Sequence, residues 1–307
     1  MTILVTGGGG FVGAWIIRRL LAEGRSVRVL DARDDRRLVR EIAGDVEIDW
    51  RVGDIVDGET VAAAAEGCEV LIHLAAILTP ACAADPVRGA MIDLVGTLHV
   101  FEAAKRHGIG RVVYMSSAGV FGPHDGALPW PTTHYGAYKL ACEGCARAYA
   151  ERDGTASVGF RPFIVYGPGR EVGLTAGPTL ACRAAAQGEA YTIPYTGGAD
   201  MIFVEDVAAA FVAATLAPGI AGAHVFNILG EVASTAEIVD AIRAERPDAR
   251  IEAAGPPLPI VSAIAEDPGL ARLLPRLPRT GLREGINRTI RHYRPLLSDG
   301  PHAEARA

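Results

Sequence analysis

The sequence predicts an α/β protein, a doubly wound parallel sheet with helices on both faces and a smaller lobe toward the C-terminus. Three observations lead there. Continuous apolar runs alternate with helix-length segments through the first half, the pattern of strands buried on both faces. A glycine-rich turn, TGGGGFVG (6–13), follows the first apolar run and precedes the first helical segment. After Gly167 the alternation loosens into shorter elements richer in glycine and proline.

Taken in order, TILVTG (2–7), SVRVLDA (26–32), EIDWRVGDI (47–55), EVLIHLAA (69–76), RVVYMSSA (111–118) and SVGFRPFIV (157–165) predict strands. WIIRRLLAEG, ETVAAAAEGC and TLHVFEAAKRHG predict the helices between them. Residues 199–230 are expected to return to the main sheet. The expected division is therefore a dinucleotide-binding domain of 1–166 plus 199–230 and a substrate lobe of 167–198 plus 231–297. The tail SDGPHAEARA, 298–307, reads as disordered.

Composition removes several function classes. A chain of 307 residues, 50% hydrophobic and 21% charged, suits a compact two-lobed enzyme. A net charge of −6 offers no basic footprint for nucleic acid or an anionic membrane. The longest apolar stretch, VAAAFVAATLAP after Asp206, is too short to span a bilayer, and the N-terminus lacks the basic region of a signal peptide. Five cysteines without framework spacing fit a reducing, cytoplasmic setting. Cys142 and Cys145 form C-x-x-C inside a helical segment with no second pair nearby, which favours packing over a metal site. No metal is expected.

Gly7, Gly10 and Gly13 have the spacing G-x-x-G-x-x-G between a strand and a helix. Such glycines let the turn close and let the backbone, with Phe11 and Val12, approach a pyrophosphate at the helix N-terminus. Asp31, ending the next strand, can accept from both adenosine ribose hydroxyls and would repel a 2′-phosphate; its bland alternative is a helix cap. Arg33, Arg36 and Arg37 lie close by and would suit a phosphate. The acid favours NAD over NADP.

The stretch HYGAYKLACEG (134–144) sets Tyr135 and Lys139 four apart, one helical turn, on a shared face. Tyrosine ordinarily titrates near pH 10, so work near neutrality needs about 3–4 kcal/mol of help for the phenolate. An ammonium about 6 Å away supplies roughly 2.8 kcal/mol at an effective dielectric of 20. Tyr138 shares the helix, but only Tyr135 has a lysine one turn later. Ser117 falls at the carboxyl end of the fifth predicted strand, where such sheets bind ligands.

These segments, with G-D-I at 53–55, H-L-A-A at 73–76, S-S-x-x-V-F-G at 116–122, R-P-x-x-V-Y-G-P-G at 161–169, F-V-E-D-V-A at 203–208 and F-N-I at 226–228, run in one order along nearly the whole chain. In that order they resemble the extended short-chain dehydrogenase/reductase family, the NAD-dependent epimerases/dehydratases. The resemblance implies a Rossmann-type fold and makes Tyr135 the acid/base, Lys139 its partner and Ser117 the third member. It places Asp54 and Ile55 at the adenine, Leu74, Ala75 and Ala76 along the cofactor cleft, and Phe163 near the nicotinamide. His73 reads as a buried strand histidine. It also implies a homodimer through helices that include the one bearing Tyr135, whose small residues LACEGCARA would permit close packing.

Departures from the family pattern narrow the reaction. Ala118 and Gly119 stand where the family's sugar dehydratases carry an Asp–Glu pair, which argues against dehydration. Ile164 and Ala199 replace the asparagine and arginine usual in nucleotide-sugar epimerases, and Asp93 replaces the usual asparagine of N-x-x-G-T. If Ile164 and Ala199 face the substrate, a diphosphate loses two donors unless Arg170 or Arg279 takes over. The expectation is an NAD-dependent oxidoreductase moving a hydride between a secondary alcohol of a small hydroxylated substrate (a sugar, sugar acid or hydroxy acid) and the nicotinamide. The alternative is a nucleotide-sugar 4-epimerase. A non-catalytic NAD-sensing regulator is disfavoured because Ser117, Tyr135 and Lys139 are all present.

Overall fold

The computed structural model describes residues 1–123, 128–258, 260 and 262–294. The tail 298–307, expected to be disordered, lies outside the described residues. The first half runs β1 (Thr2–Thr6), α1 (Phe11–Ala22), β2 (Ser26–Asp31), α2 (Arg37–Ala43), β3 (Asp49–Val52), α3 (Gly58–Ala65) and β4 (Val70–His73). Short helices α4 (Thr79–Ala84) and α5 (Pro86–Gly89) lead through a π-helical turn into α6 (Gly96–Arg106), β5 (Arg111–Met115), α7 (His134–Asp153) and β6 (Ala156–Pro162). Then come β7 (Ile164–Tyr166), α8 (Gly177–Gln187), β8 (Tyr191–Ile193), β9 (Gly198–Phe203), α9 (Val204–Leu216) and β10 (Ala223–Ile228). The chain continues with β11 (Glu231–Ser234), α10 (Thr235–Glu245), β12 (Ile251–Ala253), α11 (Pro268–Leu273) and α12 (Leu282–Tyr293).

Seven strands form one parallel sheet in the order β10-β6-β5-β4-β1-β2-β3. The order reverses direction at β1 and β4, the switch point at which ligands settle in open sheets. Strand alternation explains the two covered faces. Ile3 and Val5 pack with Ile16, Ile17 and Phe211 of α1 and α9, while Leu4 packs with Val61, Phe101 and Tyr149 of α3, α6 and α7. Each fully buried aliphatic side chain of this kind contributes about 1.5–3 kcal/mol.

A second core gathers Ile164, Tyr166, Ala199, Met201, Phe203 and Ile286. It is built on a three-stranded sheet, β11-β9-β7, and a two-stranded sheet, β12-β8. The run expected as one strand at 157–165 is therefore two. Pro162 has no N–H for a ladder, β6 ends there, and the chain crosses at Phe163 into β7 of the other sheet. The expectation for 199–230 divides likewise. β10 pairs with β6, but β9 pairs with β7 and β11, because Ala199, Met201 and Phe203 alternate into the second core.

Candidate active site

The glycine loop leaves a cradle at the head of α1. Gly7 adopts φ of +70°, and a Cβ there would lie 2.7 Å from the Ala75 nitrogen. A Cβ at Gly13 would lie 2.7 Å from the carbonyl oxygens of both Gly7 and Gly8. The loop thus packs backbone on backbone, and Gly10 N–H closes it onto Gly7 O at 3.1 Å. No side chain caps α1, so the N–H groups of Phe11, Val12 and Gly13 lack the partners a cap would give and can serve an anion.

Asp31 sits at this cradle. Its Oδ2 accepts from Gly9 N–H at 3.0 Å and its Oδ1 from Arg33 N–H at 3.3 Å. It does not cap α2, whose N-cap is Arg36. Arg36 is held by Asp34 at 2.7 Å and lies over the Trp50 ring. Ile55 is buried against Gly96, where a Cβ would meet its Cγ1 at 2.9 Å, and Asp54 accepts from Val56 N–H at 3.0 Å. Leu74, Ala75 and Ala76 are half-buried beside the loop, Leu74 N–H donating to Thr6 O at 3.1 Å. A close-approach loop, an uncapped helix and a carboxylate at the second strand fit NAD.

Tyr135 and Lys139 come together as their spacing requires. Thr133 caps α7, its hydroxyl accepting from Gly136 N–H at 3.1 Å. Lys139 Nζ lies 5.6 Å from the centre of the Tyr135 ring and donates to Met115 O at 3.0 Å. The ammonium is buried. Burial pulls its pKa down, but Tyr135 and then Asp93 outweigh burial and hold it above the ordinary lysine value. Ser117 lies two residues beyond β5 and caps the following 3-10 turn, Oγ accepting from Gly119 N–H at 3.0 Å.

Two glycines bring serine and tyrosine to one place. A Cβ at Gly136 would run into the Gly119 carbonyl oxygen, so the first turn of α7 lies directly against the serine turn. A Cβ at Gly119 would sit 3.2 Å from Ser117 Oγ and 3.8 Å from Tyr135 Cδ1. Tyr138 is accounted for elsewhere, donating to Pro86 O at 2.8 Å. Such an arrangement can take a proton from a hydroxyl while holding its oxygen.

Beneath the site lies buried polar structure, of which the sequence reading did not single out Glu143. Glu143, one turn beyond Lys139, is buried and bridges Arg161 and Ser116. Its spacing from Lys139 was the available signal. His73 is buried, Nδ1 2.7 Å from Thr6 Oγ1 and Nε2 3.0 Å from Thr97 Oγ1. Thr97 donates to Asp93 O at 2.6 Å, so its oxygen accepts the His73 Nε2 proton and Thr6 donates to Nδ1. Burial, then the Lys139 charge, lowers the His73 pKa to about 3. Asp93 accepts from Ile77 N–H at 2.8 Å, and burial raises its pKa. Cys142 is buried and donates to the Asp93 carbonyl at 3.2 Å, while Cys145 is half-buried.

On the small-lobe side, Ile164 and Ala199 do not line a cleft. Both are buried in the second core, Ile164 registered with Met201 and Ala199 with Ala233. The condition attached to them fails, because alternation along these short strands turns both toward the core. Arg279 donates to Gly230 O at 2.6 Å and pairs with Glu266 at 2.6 Å. It lines a cavity of about 550 Å³ with Asp200, Glu231 and Thr280, which holds none of Ser117, Tyr135 and Lys139. Arg170 instead lies over the Phe11 ring, 5.7 Å from its centre. Among the described residues no helix is long and apolar enough to cross a membrane.

Residues 3–229 match the model of the NAD dependent epimerase/dehydratase family. The chain is 32% identical to UDP-glucose 4-epimerase of Mycolicibacterium smegmatis, over 96% of this chain and 99% of that protein. It superposes on UDP-glucose 4-epimerase of Thermus thermophilus, a complex with NAD, with a TM-score of 0.82 and 27% identity, covering 96% and 99% of the two chains. Similarity to mouse 3 beta-hydroxysteroid dehydrogenase type 7, at 33% identity, covers 50% of this chain and 43% of that protein.

Proposed function

The chain belongs to the NAD-dependent epimerase/dehydratase family, and on that premise we propose that it is a nucleotide-sugar 4-epimerase with Tyr135 as acid/base. One observation carries the choice of substrate. Similarity to the UDP-glucose 4-epimerases covers 96% of the chain and so takes in the small lobe, whereas similarity to the mouse hydroxysteroid dehydrogenase covers 50% of it. In this reading the small lobe holds the substrate. Ile164 and Ala199 no longer count as apolar surface facing a diphosphate, since both are core residues.

NAD, when bound, supplies a reversible hydride acceptor. Gly7, Gly10, Phe11, Val12 and Gly13 would hold its pyrophosphate and Asp31, beside Arg33, its adenosine ribose. Asp54 and Ile55 would flank the adenine, with Leu74, Ala75, Ala76 and Phe163 along the cleft. Ser117 Oγ donates to the substrate oxygen while Tyr135 Oη removes its proton. Lys139, its Nζ 5.6 Å from the centre of the Tyr135 ring, places a positive charge beside the phenol. Its bond to Met115 O fixes the ammonium, so the charge stays placed through the proton transfer. The same phenol returns the proton, which suits a reaction that runs both ways.

A second reading, net dehydrogenation of a sugar acid or hydroxy acid, is supported by the similarity of half of the chain to a dehydrogenase, the mouse 3 beta-hydroxysteroid dehydrogenase type 7. Incubation with NAD and UDP-glucose or UDP-galactose separates the two. Interconversion without accumulation of reduced cofactor supports the epimerase. Accumulation with a sugar acid and inertness toward both UDP-sugars replaces it with the dehydrogenase. A cytoplasmic homodimer joined through α7 belongs to the same proposal, and a monomeric mass in solution scattering removes the dimer.

A further inference from the structure

We propose that Glu143 and Arg161 form a positioning pair for Ser117, holding the serine turn at both ends so that its hydroxyl meets the substrate oxygen beside Tyr135. The proposal rests on the reading that Ser117 and Tyr135 act on that oxygen. Glu143 lies two turns beyond Tyr135 and one beyond Lys139 along α7. Its Oε1 accepts from Ser116 Oγ at 2.5 Å and from Arg161 Nε at 2.7 Å, and its Oε2 accepts from Arg161 Nη2. Both carboxylate oxygens are thereby used, in the two-pronged geometry that fixes direction as well as distance.

The pair reaches the serine turn from two directions. On the near side Ser116 is held twice, its N–H donating to Phe160 O of β6 at 2.8 Å and its hydroxyl to Glu143 of α7. Lys139 holds the residue before it, through Met115 O at 3.0 Å. On the far side the Arg161 guanidinium lies over the Phe121 ring, 5.1 Å from its centre. Phe121 is the last residue of the 3-10 turn that Ser117 caps. Between these anchors stand Ser117 and Gly119, the latter pressed against Gly136. One ion pair therefore joins the ends of β5 and β6, from which Ser117 and Phe163 follow, to α7, which carries Tyr135.

Charge is an unfavourable way to fill a core. Glu143 is buried and the Arg161 side chain is only 15% exposed. Apolar residues of similar volume stabilise such a place as well or better. What they do not supply is direction, because a hydroxyl bonded to a fork-held carboxylate is fixed in angle and a packed methyl group is not. Ser117 has extended backbone, φ −160° and ψ 147°, so its side chain points away from that of Ser116. The tether thus leaves Ser117 free. Its Oγ accepts from Gly119 N–H, and its proton remains for the substrate.

Replacing the pair by apolar groups, Glu143→Leu with Arg161→Met, removes both charges together and so leaves none buried alone. NAD affinity should stay within about threefold, while kcat for interconversion of UDP-glucose and UDP-galactose falls by about 10²-fold with KM little changed. Glu143→Gln with Arg161→Met keeps an acceptor for Ser116 and should recover at least about fivefold of that loss. Ser116→Ala should lose about tenfold; it touches neither charge and carries the same test if a double variant does not fold. In Ser117→Ala enzyme each of these losses should shrink to about twofold or less, because a group that acts through Ser117 has nothing left to place. Crystal structures with NAD read the geometry without turnover: in the apolar double variant, Ser117 Oγ should shift by about 1 Å relative to Tyr135. A serine turn unmoved there overturns the proposal, as does wild-type kcat or a loss that persists in full in Ser117→Ala. Loss of NAD affinity in both double variants, with Ser116→Ala fully active, shows a pair that only supports the core and overturns it too. A wild type inert toward both UDP-sugars removes the epimerase reading instead, and the crystal structures then decide the positioning by themselves.

Discussion

On the cofactor side of the cleft the named polar groups are paired within the chain, whereas on the small-lobe side two are left without partners. Asp31 is tied to Gly9, Thr6 to His73, His73 to Thr97, and Lys139 to Met115. Arg170 Nε and the Tyr195 hydroxyl have nothing. A self-paired network holds its geometry before any ligand arrives, so the cofactor side is pre-organised. The two unpaired groups keep a desolvation cost that nothing in the chain offsets, as do Arg111 Nε, Tyr114 Oη and Ser157 Oγ among the described residues.

The comparison is broken most severely at Tyr135, where the two sides meet. Tyr135→Phe should lower kcat by about 10²- to 10⁴-fold while NAD affinity, measured by fluorescence titration, stays within a few-fold. Full activity in this variant would remove the acid/base role. The paired side carries its own signature in pH. His73 is neutral when folded, with its pKa lowered to about 3, against an ordinary value near 6.5. Between those values the unfolded chain binds a proton that the native chain does not, so stability falls as pH drops from about 6.5 toward 3. The loss approaches about 4–5 kcal/mol at the lower end. Urea unfolding at several pH values should show this slope in the wild type and a shallower one in His73→Gln.

Gly136→Ala tests the junction. The added methyl meets the Gly119 carbonyl and should push Tyr135 from Ser117, lowering kcat by about 10²-fold with NAD binding preserved. An unchanged kcat would show that the serine turn yields without consequence. The smallest effect belongs to Asp31→Ala, which removes the ribose acceptor and the repulsion of a 2′-phosphate. NAD should bind about tenfold more weakly and NADP relatively better. A wild type that prefers NADP would show that Arg33 and its neighbours outweigh the acid.

The sequence by itself determined what short-range spacing encodes. Gly7 and Gly13 sit where only a missing Cβ permits backbone contact, a Cβ at Gly10 would crowd Gly7 O at 3.2 Å, and Tyr135 and Lys139 are one turn apart whatever surrounds them. Asp31 reaches the loop because β1 and β2 are adjacent parallel strands, a consequence of the alternating pattern. Only the tertiary structure decided which way the small-lobe strands turn. Three residues of β7 and six of β9 give too few positions for a period to reveal a face. Their orientation is set by Met201, Phe203 and Ile286, remote in sequence from Ile164. Long-range packing likewise decided that Glu143 lies under Ser116 and that Arg170 finds no carboxylate among the described residues. Pairing between groups far apart in the chain depends on distances that no local spacing carries.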